Sequence, residues 1–220
     1  MDFASARRTM ADNQIRTYDV TSIPLLAAFE TVPRECFVQP DQHPVAYTDA
    51  PLMVNVPGAA RTLLPPLVVA RMLQAADIKA DDKVLVVGGA TGYGAALVAT
   101  FTAEPVTLLE DSEAMADLAK ASLSAAGSDH VNVITGALAH GHSAGGPYTL
   151  IVVEGAAEAE PSSLFAQLAE GGRLICVVGF GRAGRVTLFT KRAGVVGGRI
   201  IFDAAAPMLA DFRQPAGFVF

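Results

Sequence analysis

Cysteine is nearly missing from this sequence: Cys36 and Cys176 are the only two, far apart and without a Cys-x-x-Cys pair. That excludes a disulfide framework and a thiolate zinc site. Charge is scarce too, at 17% of residues against 51% hydrophobic, so the chain is neither disordered nor supercharged. A basic excess is also lacking. With 16 Lys and Arg against 22 Asp and Glu, the net charge of −6 argues against a nucleic-acid partner. Histidine offers only His43, His130, His140 and His142, and the His-Gly-His pair has no third ligand, so no metal is expected. Residues 9–16, after Arg7-Arg8, are polar where a secretory signal would be apolar, which predicts a soluble, cytoplasmic protein. Residues 84–103 carry no charge, but Gly88, Gly89, Gly92 and Gly94 lie inside them. They read as strand, turn and helix instead of a membrane span, so no membrane partner is expected.

The 220 residues suit one compact unit of α/β size. Residues 1–75 read as a helical and irregular extension, and residues 76–220 as a Rossmann-like core. In the extension, Asp19 to Ser22 supply caps before a short apolar helix over 23–29, and a proline-bearing loop runs to about Pro57. A second helix starts at Pro66, where a missing amide donor costs least. The core alternates: strands over 83–87, 106–109, 131–134, 149–153 and 173–178, helices over 94–101, 112–126 and 161–169, then closing strands over 185–190 and 199–203. Such alternation predicts a doubly wound, mostly parallel sheet with helices on both faces. Ligands then bind beyond the strand carboxyl ends, after the first strand. The apolar ending, Ala216-Gly217-Phe218-Val219-Phe220, reads either as a docked strand or as a contact patch.

The most informative segment is Val84-Leu85-Val86-Val87-Gly88-Gly89-Ala90-Thr91-Gly92-Tyr93-Gly94. A buried strand feeds a turn of small residues and then a helix, so backbone amides approach a ligand closely. The dinucleotide pattern GxGxxG fails here, because its second and third glycines would be Ala90 and Tyr93, which disfavours a nicotinamide oxidoreductase. Gly88-x-Ala90-x-Gly92 instead resembles the GxGxG loop of S-adenosylmethionine-dependent methyltransferases. Glu110 ends the next strand, where an acid accepts hydrogen bonds from ribose hydroxyls. The cofactor site is therefore expected to comprise Gly88, Gly89, Ala90, Thr91, Gly92 and Glu110.

Several other segments resemble protein-L-isoaspartate O-methyltransferases. They are Val32-Pro33-Arg34-Glu35-Cys36-Phe37-Val38, Ala46-Tyr47-Thr48-Asp49-Ala50-Pro51-Leu52, the Gly92-Tyr93 step, and Gln167-Leu168-Ala169-Glu170-Gly171-Gly172-Arg173-Leu174. The resemblance implies methyl transfer from S-adenosylmethionine to the free carboxylate of an isoaspartyl residue in a damaged protein. That carboxylate is already ionised at neutral pH, so no general base is required, and alignment of oxygen, methyl carbon and sulfur carries the reaction.

The family pattern also places the sites, and shows departures from it. Its Thr-Ile-Ser becomes Thr62-Leu63-Leu64, which keeps the threonine and loses the serine hydroxyl. Arg61, in the extension that the resemblance implies contributes to the acceptor site, reads either as a bidentate partner of the acceptor carboxylate or as a solvated loop arginine. The acid two residues before the first glycine becomes Val86, and the Gly-Asp-Gly facing the adenine becomes Gly136-Ala137-Leu138, adding Ala137 and Leu138 to the cofactor site. Glu154 ends the fourth core strand, where the family has a Thr-Ala-Ala type of turn. It is read here as contacting the cofactor, or as a base for an amine or hydroxyl acceptor, or as a plain strand-end acid. The acceptor-side candidates are thus Thr62, Arg61 and Glu154. The competing readings are an S-adenosylmethionine-binding module without turnover, and a methyltransferase with another acceptor.

Overall fold

Helix α1 (Phe3–Met10) is capped by the Asp2 carboxylate and runs into one π-helical turn over Ala11–Ile15 in the computed structural model, which describes residues 2–214. The apolar ending lies outside the described residues. Helix α2 (Ile23–Thr31) begins where Ser22 Oγ accepts from the Leu25 amide, with Pro24 in the first turn. The expected loop up to Pro57 instead contains a strand. β1 (Leu52–Val56) pairs antiparallel with β2 (Ala59–Leu63), and Gly58 turns the hairpin at φ +77°. Five residues of alternation beside a proline were too short a signal to announce it. Helix α3 (Pro66–Ala76) follows, its first turn capped by Asp49 Oδ1, which accepts from the Leu67 amide at 3.0 Å.

The core strands are β3 (Val84–Val87), β4 (Val106–Glu110), β5 (Asn132–Thr135), β6 (Tyr148–Ala157), β7 (Leu168–Val178), β8 (Arg185–Arg192) and β9 (Val195–Asp203). Between them lie α4 (Tyr93–Ala99) and α5 (Glu113–Ala125), the latter capped by Ser112. The uncharged stretch is thus β3, its turn and α4, and no helix among the described residues is long and apolar enough to cross a membrane. The sheet runs β5-β4-β3-β6-β7-β8-β9, parallel up to β7 and antiparallel beyond it. The chain steps outward from β3 to β5 and then returns to β6, so the order reverses between β3 and β6. The carboxyl ends of these two strands flank the crevice that such sheets use for ligands.

Two expectations need correction. The helix over 161–169 is a 3₁₀ segment, Ser162–Gln167, and β7 starts at Leu168. The two sheet faces are also covered differently. Side chains of α1 through α5 pack with Val84, Val86, Leu108 and Val152 on one face. The other face, with Leu85, Val87, Leu109 and Val153, is covered by Leu138, Leu164, Leu209 and Phe212, from 3₁₀ turns and irregular chain. Gly136, Gly141, Gly145, Gly146 and Pro147 crowd the β5–β6 connection, which holds two 3₁₀ turns and no α-helix.

Candidate functional site

The turn after β3 is built on left-handed backbone: Gly88 at φ +70°, Ala90 at +54° and Gly92 at +93°. Alanine tolerates that region poorly, and its amide shows what holds it there. Ala90 N–H donates to Glu110 Oε1 at 2.6 Å, so the acid ending β4 braces the turn after β3. Gly92 lacks room for a side chain, since a Cβ there would lie 3.2 Å from Leu108 and Leu123. Gly89 is hemmed in by Leu108 and Val86. The Thr91 hydroxyl points away from the crevice and donates to the Phe37 carbonyl at 2.6 Å, tying the turn to the Val-Pro-Arg segment.

Glu110 is fully buried, and its second oxygen accepts from Arg61 Nε at 3.2 Å. Arg61 reaches over from β2 and also pairs with Asp111. Burial pushes the Glu110 carboxyl up to about 7, opposed by Arg61 and the Ala90 amide and reinforced by Asp111. The two oxygens that would accept ribose hydroxyls are thus partnered from within the chain. Arg61, the residue expected at the acceptor carboxylate, is held here between Glu110 and Asp111. Thr62 lies beside it on β2, half-buried and in register with Met53. Leu64 is buried, and its carbonyl accepts from Arg34 Nη2 at 2.9 Å.

Above Gly88 the space is taken by apolar side chains. A Cβ on Gly88 would meet Leu209 methyls at 3.1 and 3.2 Å and Leu138 at 3.4 Å. Ala137 and Leu138 follow β5 as expected, and the Leu138 amide donates to Asp211 Oδ2 at 2.7 Å. Cavities of about 410 and 370 Å³ lie elsewhere, one along β7 to β9 and one between α1 and the Pro44 to Thr48 turn.

Glu154 Oε1 lies 3.6 Å from a Cβ position on Gly89, beside the turn after β3. Alternation along β6 turns it to the helical face, beneath the first turn of α4, where a Cβ on Gly94 would overlap its Oε1 and lie 2.6 Å from its Cδ. Oε1 is buried without a hydrogen-bond partner. Nearby, Arg34 is also fully buried. It donates from Nε to the Ala46 carbonyl at 2.9 Å and stacks 4.6 Å from the centre of the Tyr93 ring. Burial pushes Glu154 up to about 8, opposed by the Arg34 charge and reinforced by Glu110.

The Glu154 carboxyl is thus packed under the start of α4, where burial favours its protonated form. Its proton has a measurable consequence. Between pH 4.5 and about 8 the folded protein keeps a proton that the unfolded chain releases. Stability therefore falls as pH rises through that window, by about 1.4 kcal/mol per unit for this group. Glu154→Gln removes the effect, so thermal unfolding should show the variant gaining on the parent from pH 5 to pH 8. A gap constant with pH would refute this placement of the proton.

Comparison with known proteins places this arrangement. The sequence profile described as Protein-L-isoaspartate(D-aspartate) O-methyltransferase (PCMT) matches residues 6–204. The chain belongs to this family. A protein-L-isoaspartate O-methyltransferase of Koribacter versatilis is 40% identical over 192 residues, covering 87% of this chain and 85% of that protein. Protein-L-isoaspartate O-methyltransferase 1 of Rhodopseudomonas palustris (strain HaA2) is 36% identical, covering 96% and 82%. A solved protein-L-isoaspartate O-methyltransferase superposes with a TM-score of 0.81 at 24% identity, covering 95% of this chain and 67% of that one, and supports the fold.

Against the family pattern, the structure clarifies two departures. Leu64, at the serine position, is buried and offers only its backbone carbonyl, to Arg34. Val86 is part of the apolar floor under the helices. Two features escaped the sequence reading. Arg34 stood in plain view within Val-Pro-Arg, but its partners come from residues 46 and 64. The segment carrying Leu209 and Asp211 gave no signal beyond a short apolar run after the last strand.

Proposed function

We propose that this protein is an S-adenosylmethionine-dependent methyltransferase acting on the carboxylate of isoaspartyl residues in damaged protein. The observation that carries the reading is the brace between Glu110 and the Ala90 amide. It sets a buried acid against a left-handed small-residue turn at the carboxyl ends of adjacent parallel strands. Acid, backbone amides and apolar surface make a donor set that fits an adenosyl ligand in kind.

When bound, S-adenosylmethionine supplies an electrophilic methyl group on sulfur. Glu110 would hold the ribose hydroxyls, releasing Arg61 Nε while Asp111 keeps hold of the guanidinium. Arg61 then has donors for the acceptor carboxylate, in the role that the hydroxyl missing at Leu64 would otherwise share. Thr62 supplies the remaining hydroxyl on that side. The acceptor enters ionised, so these residues align it without removing a proton. The two thiols, Cys36 and Cys176, are both free, in keeping with action in the reducing cytoplasm.

Labelled methyl transfer from S-adenosylmethionine to an isoaspartyl peptide, with the aspartyl isomer as control, tests the proposal. Label on the isoaspartyl peptide alone is the expected result. The buried Leu64 favours a second reading, a cofactor-binding module without turnover on this acceptor. Cofactor binding without label would support it.

A further inference from the structure

After β9 the chain does not leave the sheet. Residues 207–214 turn back across the carboxyl end of β6 and are laid along it. Ala156 N–H donates to the Pro207 carbonyl at 2.8 Å, Leu209 N–H to the Ala156 carbonyl at 3.0 Å, and Glu158 N–H to the Phe212 carbonyl at 3.1 Å. Met208 forms an isolated parallel bridge with Ala156. A side-chain tie reinforces it: Asp211 accepts from the Leu138 amide at 2.7 Å.

These ties deliver Leu209 to a particular spot. Its methyls lie 3.1 and 3.2 Å from a Cβ position on Gly88, and its side-chain carbons 2.5 to 2.9 Å from one on Gly155. Gly88 opens the turn after β3, and Gly155 follows Glu154 near the end of β6. Leu209 is thus wedged between the carboxyl ends of the two strands where the sheet order reverses, with only 3% of its surface exposed. That crevice is where a ligand of this fold lies. Backbone left bare by two glycines is in contact with a leucine from the far end of the chain.

We propose that residues 207–212 form an intrachain plug whose Leu209 occupies the adenosyl site and must be displaced before a ligand enters. The inference rests on the methyltransferase reading, because it takes the ligand of this crevice to be an adenosyl thioether or sulfonium. The plug lowers apparent affinity by the fraction of molecules in which it is withdrawn. A mutation that loosens it therefore strengthens binding while weakening the fold, whereas a purely structural leucine would weaken both. Asp211→Ala offers a second route, since it frees the Leu138 amide from an exposed side chain and leaves the core intact.

The test uses S-adenosylhomocysteine and the full chain. Calorimetry on the parent, Leu209→Ala and Asp211→Ala should give about tenfold tighter binding for at least one variant. Hydrogen exchange on the parent should show the Leu209, Ala156 and Glu158 amides exchanging faster when the ligand is saturating. Equal affinities, with those amides as protected as in the free protein, overturn the plug and leave the methyltransferase reading standing. Failure of all three proteins to bind overturns the reading itself, and the plug with it.

Discussion

Arg34→Ala is expected to lower the unfolding midpoint by roughly 10 °C, corresponding to about 3–5 kcal/mol. The guanidinium is fully buried and donates to two carbonyls, of Ala46 and Leu64, that come from opposite sides of the β1–β2 hairpin. Its flat face lies 4.6 Å from the centre of the Tyr93 ring, at the start of α4. Truncation strands both carbonyls away from water, and each stranded group costs about 1–3 kcal/mol. It also opens a cavity beneath the ring. Arg34→Lys separates these contributions, because it keeps the charge but cannot reach both carbonyls and stack on the ring at once. Thermal unfolding should rank the parent first, then the lysine variant, then alanine. A lysine variant as stable as the parent would show that charge alone matters there.

Gly94→Ala should destabilise by about 1–3 kcal/mol, as overpacking in a closed core does. The added methyl would land on the Glu154 carboxyl, which is buried and must shift to make room. The coupling is specific, so it can be tested by a double-mutant cycle in denaturant. Glu154→Ala makes room, and the double variant should recover most of what Gly94→Ala lost, with an interaction of about 1–3 kcal/mol. Additive effects would place the strain elsewhere in α4. The two predictions concern one buried group, since Arg34 supplies the positive charge that opposes the rise of the Glu154 carboxyl.

The same residues show how far sequence alone could be read. The β-branched run before Gly88 announced β3, the small-residue turn announced the crevice, and Ser112 marked the start of α5. Each is local: a pattern within a dozen residues, enforced by backbone sterics and capping. Glu154 was visible as an odd acid at a strand end, but its direction was not. Whether such a side chain meets ligand or helix depends on strand alternation and on what packs above that face. Gly94, the residue that gives it room, carried no label of its own.

Sequence by itself determined the alternating core, the strand-turn-helix that forms the crevice, the acid ending β4, and kinship with the isoaspartyl methyltransferases. Tertiary structure alone decided that Arg61 pairs with Glu110, that Arg34 joins residues 46 and 64, and that Leu209 lies against Gly88. The reason is physical. Local geometry is written in neighbouring side chains through periodicity and allowed dihedrals, whereas a contact between distant segments exists only once the sheet order has brought them to the same rim.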